Sequence, residues 1–315
     1  MRRSTPSWWY RRTGATAVLL APVSWMWTMA TRLRRAMARP YRSRIPVICV
    51  GNLTAGGAGK TPTAIAVARI LQQIDRTPVF LSRGYGGRKA GPHRVDREND
   101  TAQGVGDEPL LLARVATAVV AADRAKGARV AETTGADVIV MDDGFQNPTL
   151  AKDFSIIVVD RSAGIGNGHV IPAGPLRAPL DEQLARAHAV IAVGGGDTAA
   201  PVLARARALG LTVFEAEIVP KSAAPWLRKT PIIAYAGIGN PGKFFLTLLA
   251  AGGTLAETFE FPDHHTFTRD DANMLLRRAK DAGAQLVTTE KDLARLMGLP
   301  ELERLRTASR ALPVR

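Results

Sequence analysis

Gly51-Asn52-Leu53-Thr54-Ala55-Gly56-Gly57-Ala58-Gly59-Lys60-Thr61 is the stretch that decides how the rest of the chain is read. The apolar run from Ile45 to Val50 precedes it and has the length of a buried strand. Pro62 to Leu71 follows and reads as a helix. A glycine-rich loop between a strand and a helix is the setting of a phosphate-binding loop. Its glycines let backbone N–H groups converge on phosphate oxygens, and the helix N-terminus adds a favourable dipole. The candidate nucleotide contacts are therefore Thr54, Ala55, Gly56, Gly57, Ala58, Gly59, Lys60 and Thr61. Lys60 would bridge the outer phosphates, and the Thr61 hydroxyl would reach Mg²⁺. One position departs from the general motif G-x-x-x-x-G-K-[ST], which has glycine where this chain has Thr54. Pro62 is compatible with a first helical turn, where no N–H partner is needed.

Outward from the loop, short apolar runs alternate with helical segments. Val138 to Met141 reads as a strand and ends in Asp142 and Asp143, the acidic partner that holds Mg²⁺ beside such loops. Thr77 to Ser82, Ser155 to Val159 and Val190 to Val193 read as further strands, and Leu110 to Ala122 as a helix. This alternation predicts an α/β fold, a mainly parallel sheet flanked by helices. Later, Pro231 to Ala236 and Leu286 to Thr288 read as strands. Lys243 to Ala251, Arg269 to Asp281 and Glu290 to Met297 read as helices. Prolines cluster at Pro220, Pro225 and Pro231. The expected divisions are thus an N-terminal segment over 1–44, a nucleotide-binding core over 45–225 and a smaller α/β domain over 226–315. The last residues read as frayed and basic.

Composition narrows the partners. Of 315 residues, 46% are hydrophobic and 22% charged, which argues against wholesale disorder, collagen and a polytopic membrane protein. A single cysteine, Cys49, excludes a disulfide framework and a thiolate zinc cluster. The net charge is +14, yet the first acidic residue is Asp75, and twelve Lys and Arg precede it. The remainder of the chain is nearly neutral. An anionic membrane surface suits such a terminal block better than nucleic acid does. No obligate protein partner is expected.

Thr13 to Thr31 carries no charge and is flanked by Trp8, Trp9, Tyr10 and by arginines on both sides. That pattern fits a membrane interface. The same stretch is marginal as a span, and a signal peptide or a plain soluble helix remain as alternatives.

Softer candidates lie elsewhere. Asp107, in Gly106-Asp107-Glu108-Pro109, is either a helix N-terminal acid or the base for a hydroxyl nucleophile. In Asp263-His264-His265 neighbouring side chains of a strand would face opposite ways, so pairing with a catalytic carboxylate is a better functional reading than zinc. Arg83 and Arg177 sit in glycine-rich loops after strands, where they could hold phosphate groups. Thr289 and Asp292 make a sound helix cap and do not spell a guanine-reading motif.

Taken in order, these segments resemble the tetraacyldisaccharide 4′-kinases, the lipid A kinases of Gram-negative bacteria. The resemblance rests on GNLTAGGAGKTP at 51–62, SRGYGG at 82–87, GDEP at 106–109 and DDGFQ at 142–146. It continues through GNGHVIPAGPLR at 166–177, PDHH at 262–265 and TTEKD at 288–292. That family also carries Ser or Thr at the position of Thr54. The resemblance implies transfer of the ATP γ-phosphate to the 4′-hydroxyl of a lipid-linked tetraacyldisaccharide 1-phosphate. It implies Mg²⁺ and work at the cytoplasmic face of the inner membrane. By motif match it makes Asp107 the catalytic base with His264 as partner. Lys60 and Thr61 take the phosphate-loop roles, Asp142 and Asp143 the metal site, and Arg177 a place in catalysis or substrate binding. The family often has Leu-Arg-Glu where this chain has Ala178 after Arg177. The competing readings are a membrane-associated P-loop NTPase switch or assembly factor without a lipid acceptor, and a P-loop ligase.

Overall fold

A computed structural model describes residues 6–221 and 224–314. Arg2, Arg3 and Arg315, which add to the basic ends of the sequence, lie outside the described residues. The strands are β1 Val47–Asn52, β2 Pro78–Ser82, β3 His93–Arg94, β4 Ala118–Val120, β5 Val138–Asp142 and β6 Phe154–Asp160. They continue with β7 Ala189–Val193, β8 Thr212–Ala216, β9 Ile232–Ala236, β10 Leu255–Glu260, β11 Gln285–Thr288 and β12 Ser309–Ala311.

The first eight form one sheet in the order β3-β4-β2-β5-β1-β6-β7-β8. Only β3 runs antiparallel to its neighbour. The others are parallel and covered by helices, which explains their continuous apolar runs. Strand β1 lies between β5 and β6, and Val50 is in register with Asp142. The glycine loop after β1 and the carboxylates ending β5 therefore leave the sheet side by side. That is the crevice where open parallel sheets hold ligands.

The sheet corrects one sequence reading. Leu110 to Ala122 is not a single helix: the helix is Asp107–Ala113, and β4 follows at Ala118–Val120. The alanines suit a helix locally, but Val119 and Val120 are fully buried beside β2, and that tertiary burial prevails.

Strands β9 to β12 form a second, all-parallel sheet in the order β10-β9-β11-β12. Among the described residues the C-terminal stretch is not frayed: Ser309–Ala311 pairs with β11, and Leu312 is buried. Helix Glu290–Leu296 leaves β11 and packs on helix Asp107–Ala113, beside the large sheet. The turn Pro225–Arg228 belongs with the smaller core, where Leu227 is fully buried.

The N-terminal helix Ala15–Ala36 is amphipathic in an inverted sense. Small residues, Ala17, Ser24 and Thr28, face the body. Val18, Leu19, Trp25, Met26 and Leu33 face outward and are each more than 60% exposed. Ser24 Oγ donates to Val170 O at 2.8 Å and accepts from Ala173 N–H at 3.0 Å. Trp27 Nε1 donates to Arg177 O at 3.3 Å. Among the described residues no helix is long and apolar enough to cross a membrane.

Candidate active site

The phosphate loop is held by close approach. A side chain at Gly51 would run into Phe145, so glycine is required where β1 passes the residues after β5. Gly59 sits at φ +83°, in the left-handed region that glycine adopts freely, and Lys60 opens the helix Lys60–Gln73. Thr54 does not need that freedom. It forms an antiparallel bridge with Leu176 and has no positive φ. The Thr54 carbonyl accepts from Arg177 Nε at 3.0 Å, and Ala55 N–H donates to Pro175 O at 2.8 Å. The loop over 166–177 thus braces the phosphate loop, and the N-terminal helix braces that loop in turn. Ala178 is buried, and its carbonyl accepts from Gln183 Nε2 at 2.7 Å. This small residue is enclosed where the family often places glutamate.

Lys60 Nζ donates to Gly56 O at 3.1 Å and lies 3.8 Å from Asp143 Oδ2. Arg177 Nη2 donates to the same Asp143 oxygen at 3.4 Å. Burial works to raise the Asp143 carboxyl, but the Lys60 and Arg177 charges hold it below its ordinary value. Asp142 differs. Its Oδ2 accepts from the Thr61 hydroxyl at 3.1 Å, while its buried Oδ1 has no hydrogen-bond partner. Burial, with the Glu108 and Asp143 charges, pushes this carboxyl up to about 7. An orphaned carboxylate oxygen next to a threonine hydroxyl suits a hard cation that takes its other ligands from phosphate and water. Among the described residues no three His, Cys, Asp or Glu side chains converge on a metal, so the protein alone offers no closed cage.

A second cluster lies on the other side of the carboxylates. Gly106, at φ +93°, turns the chain so that Asp107 opens its helix with the side chain inward and 3% exposed. His264 Nδ1 is 3.2 Å from Asp107 Oδ2. His264 does not lie in a strand. It sits in a turn at φ +57°, its N–H donating to Gly237 O at 3.0 Å. His265 points elsewhere, stacking on Phe261 and bonding Asp271 at 2.9 Å.

Arg295 is the member that sequence patterns do not announce. Its Nε donates to Asp107 Oδ2 at 2.7 Å, and Nη1 donates to Gly237 O and to Asp292 Oδ1, both at 2.6 Å. Beside it Lys291 Nζ donates to Glu108 Oε1 at 2.5 Å. Thr289 does cap its helix, accepting from Asp292 N–H at 3.1 Å. The one local signal for Arg295 is its i,i+3 spacing from Asp292. Burial opposes ionisation of Asp107. The His264 hydrogen bond and the Arg295 and Lys291 charges outweigh it and hold the carboxyl far below its usual range. Glu108 links the clusters: its charge acts on Asp142, and the Lys60 charge acts on it.

Arg83 is exposed at the end of β2. Arg124, unremarkable in the sequence, is 3% exposed, with Nη1 donating to Ala121 O at 2.5 Å and Nε unpartnered. Burial and the nearby Arg83 charge push its guanidinium down to about 10. A buried guanidinium short of acceptors adds positive potential near Asp142 and Asp143.

A family model described as tetraacyldisaccharide-1-P 4′-kinase matches residues 16–315. A tetraacyldisaccharide 4′-kinase of Parvibaculum lavamentivorans is 51% identical, covering 98% of this chain and 92% of its own length. One of Rhodopseudomonas palustris is 50% identical, covering 94% and 87%. A crystal structure of LpxK from Aquifex aeolicus, described as an "apo" form in complex with ATP, superposes with a TM-score of 0.70 at 26% identity. It covers 95% of this chain and 93% of its own.

Proposed function

The chain belongs to the tetraacyldisaccharide-1-P 4′-kinase family, and we propose that its two side-chain clusters divide the transfer of the ATP γ-phosphoryl group to the 4′-hydroxyl of a tetraacyldisaccharide 1-phosphate. The observation that carries this division is the Asp107–His264 contact at 3.2 Å, set beside a phosphate loop and not within it. A nucleotide switch has no use for a buried carboxylate–histidine pair on the acceptor side.

Phosphoryl transfer needs in-line positioning and charge neutralisation more than covalent chemistry. The Thr54–Thr61 backbone cradles the phosphates. Lys60 leaves Gly56 O and turns to the outer phosphates, and Arg177 and Arg124 add positive charge at the carboxylate side. Mg²⁺ bound by Asp142 Oδ1 and the Thr61 hydroxyl would neutralise the phosphate oxygens. Asp143 is the poorer ligand, since Lys60 and Arg177 already occupy it, and it serves to orient them.

Asp107 is a weak base while Arg295 saturates it. In a loose transition state the acceptor proton leaves late, so the carboxylate need only orient the hydroxyl. His264 shares that hydrogen bond and gives the proton a route outward.

The inverted N-terminal helix fits the same reading. Its outward Leu, Val, Trp and Met side chains would lie in the interface of the inner membrane, at its cytoplasmic face, where Arg34 would meet anionic headgroups while Arg32 and Arg35 tie the helix end to Glu182. The acceptor's acyl chains then stay in the bilayer as its sugar reaches the site. In this reading 1–44 faces the membrane, 45–225 binds nucleotide and 226–315 completes the acceptor side.

The test is transfer from γ-labelled ATP to tetraacyldisaccharide 1-phosphate in mixed micelles with Mg²⁺. Label on the lipid, lost in Lys60→Ala, is expected. Acceptor-independent hydrolysis without lipid labelling would favour the switch.

A further inference from the structure

We propose that Lys243 is a positioning residue for phosphoryl transfer, a role that rests on the kinase reading above: its pair with Asp160 pins a strap across the phosphate loop and so sets His264 and Arg295 in place. Lys243 Nζ donates to both Asp160 carboxylate oxygens at 2.6 Å. Asp160 ends β6 on the larger sheet. Lys243 lies in the first turn of helix Pro241–Ala250, which packs on β9 and β10 of the smaller one. The pair belongs to neither side-chain cluster of the site.

The strap is residues 237–243, which lead from the end of β9 into that helix. At its start, Gly237 O accepts from the His264 N–H at 3.0 Å and from Arg295 Nη1 at 2.6 Å. The Gly237 N–H donates to Asp292 Oδ1 at 3.1 Å. In its middle, a Cβ at Gly239 would lie 3.8 Å from Gly57 N and 3.4 Å from Asp263 Oδ2. The strap thus passes the phosphate loop with a glycine at the approach. At its end, Asn240 Oδ1 accepts from the Lys243 N–H at 3.3 Å, and the Lys243 side chain reaches across to Asp160. Because β1 lies between β5 and β6, the strap crosses the crevice from the Asp107 side to the β6 side.

The Lys243 side chain is 42% exposed, and an ion pair so placed adds little to global stability. Its use is geometric. The Ser162 hydroxyl and N–H donate to Asp160 Oδ1 at 2.8 and 2.9 Å, so the carboxylate is already oriented where Lys243 meets it. Burial works to raise the Asp160 carboxyl, but the Lys243 and Ser162 hydrogen bonds hold it below its ordinary value, and the pair is charged at neutral pH. Asp107 comes from the larger sheet, whereas His264 and Arg295 hang on Gly237 O of the smaller. Their spacing therefore follows the strap. Only residues 237–240 separate β9 from the helix, so a displacement at Lys243 is carried to Gly237. Transfer tolerates little of it, since misplacing a reacting group by about 1 Å costs up to roughly a hundredfold in rate.

Steady-state kinetics of Lys243→Met, Lys243→Arg, Asp160→Asn and the Lys243→Met/Asp160→Asn double variant test this. Methionine keeps the apolar stem and removes only the charge. Lys243→Met is expected to lower kcat about tenfold and to leave the KM for ATP and for the lipid acceptor within about twofold. Lys243→Arg keeps the charge and is expected to stay within about threefold of wild type. Asp160→Asn should match Lys243→Met, and the double variant should be no slower than either, because all three remove one contact. Wild-type kcat in Lys243→Met would overturn the role. So would losses that multiply in the double variant, or a rise in the KM for ATP confined to the Lys243 variants, which would make Lys243 a nucleotide contact. Hydrogen exchange supplies a readout that needs no lipid. In Lys243→Met the amides of 262–266 should exchange about tenfold faster while those of β1 keep their protection, a local release without unfolding. If wild type labels no lipid but this exchange response is present, the kinase reading falls and the strap stands. If wild type transfers phosphate and Lys243→Met changes neither kcat nor exchange, only the strap falls.

Discussion

Asp142 and Asp143 are adjacent in sequence, yet their surroundings differ. One oxygen of Asp142 is buried without a partner, while Asp143 answers to two cations. Asp142→Asn is therefore expected to lower Mg²⁺-dependent transfer by roughly 10²–10³-fold, the several kcal/mol that a bound metal supplies. It should also abolish the stabilisation by Mg²⁺ in a thermal-shift assay. Asp143→Asn should retain the Mg²⁺ shift and lose affinity for nucleotide. The reverse pattern would exchange the two roles.

Asp107 makes a pH prediction with a definite sign. Its folded value lies well below the ordinary 3.8. Its stabilising contribution is therefore fully present above the unfolded value and is lost only as pH falls below it. The gap in Tm between wild type and Asp107→Asn should stay constant from pH 5 to 8 and narrow only below about pH 4. By the same argument, an acid limb in the rate between pH 5 and 7 belongs to another group. The sequence shows Asp107 and His264 as candidates but not Arg295, 188 residues beyond Asp107. No periodicity or motif spans that distance, and only the docking of two helices creates the contact.

Among elements, legibility follows how local the determining physics is. Strands β1 and β5 stand out because a buried parallel strand must be apolar throughout and because a loop or carboxylates of known chemistry end them. Strand β4 does not, since its alanine-rich segment is helical by propensity and becomes a strand only against β2. Strand β10 is half exposed along its length, and Phe214 in β8 is largely exposed, so neither shows an uninterrupted run. The N-terminal helix is legible in length and flanks, whereas its inward face of small residues appears only in the packing. That face yields a paired prediction. Leu19→Glu with Trp25→Glu, on the outward side, should reduce sedimentation with anionic vesicles at least fivefold and leave ATP binding unchanged. Ser24→Leu, on the inward side, should leave sedimentation intact and weaken transfer about tenfold, because Ser24 holds Val170 and Ala173 in the loop that carries Arg177. Equal effects in both variants would mean that the helix has no functional sides.

For the molecule as a whole, the cluster of Asp107, Glu108, Lys291 and Arg295 is also the joint between the two sheets. Arg295 and Lys291 come from a helix attached to the smaller sheet, and Asp107 and Glu108 from one packed on the larger. Removing one member of a buried ion pair strands the other, at about 3–5 kcal/mol. Arg295→Ala should show that loss in chemical denaturation. The double variant Asp107→Asn/Arg295→Met should recover only the part due to Asp107, since Asp292 and Gly237 O still lose Arg295, yet transfer no phosphate, which separates the structural from the chemical share. If the double variant is as unstable as the single one, Arg295 holds the joint through Asp292 and Gly237 and not through Asp107.

This joint also bears on synthesis. The large sheet is finished at Ala216, but Arg295 is made 79 residues later. At bacterial translation speeds that interval is roughly five to fifteen seconds. During it a nascent chain has the segments of its phosphate loop and of Asp142, while Asp107 awaits its guanidinium partner and the core of the large sheet awaits Ala294. The order of the residues along the chain thus makes the Asp107–Arg295 contact, 188 residues apart, one that can form only after the whole large sheet and most of the smaller one have been synthesised.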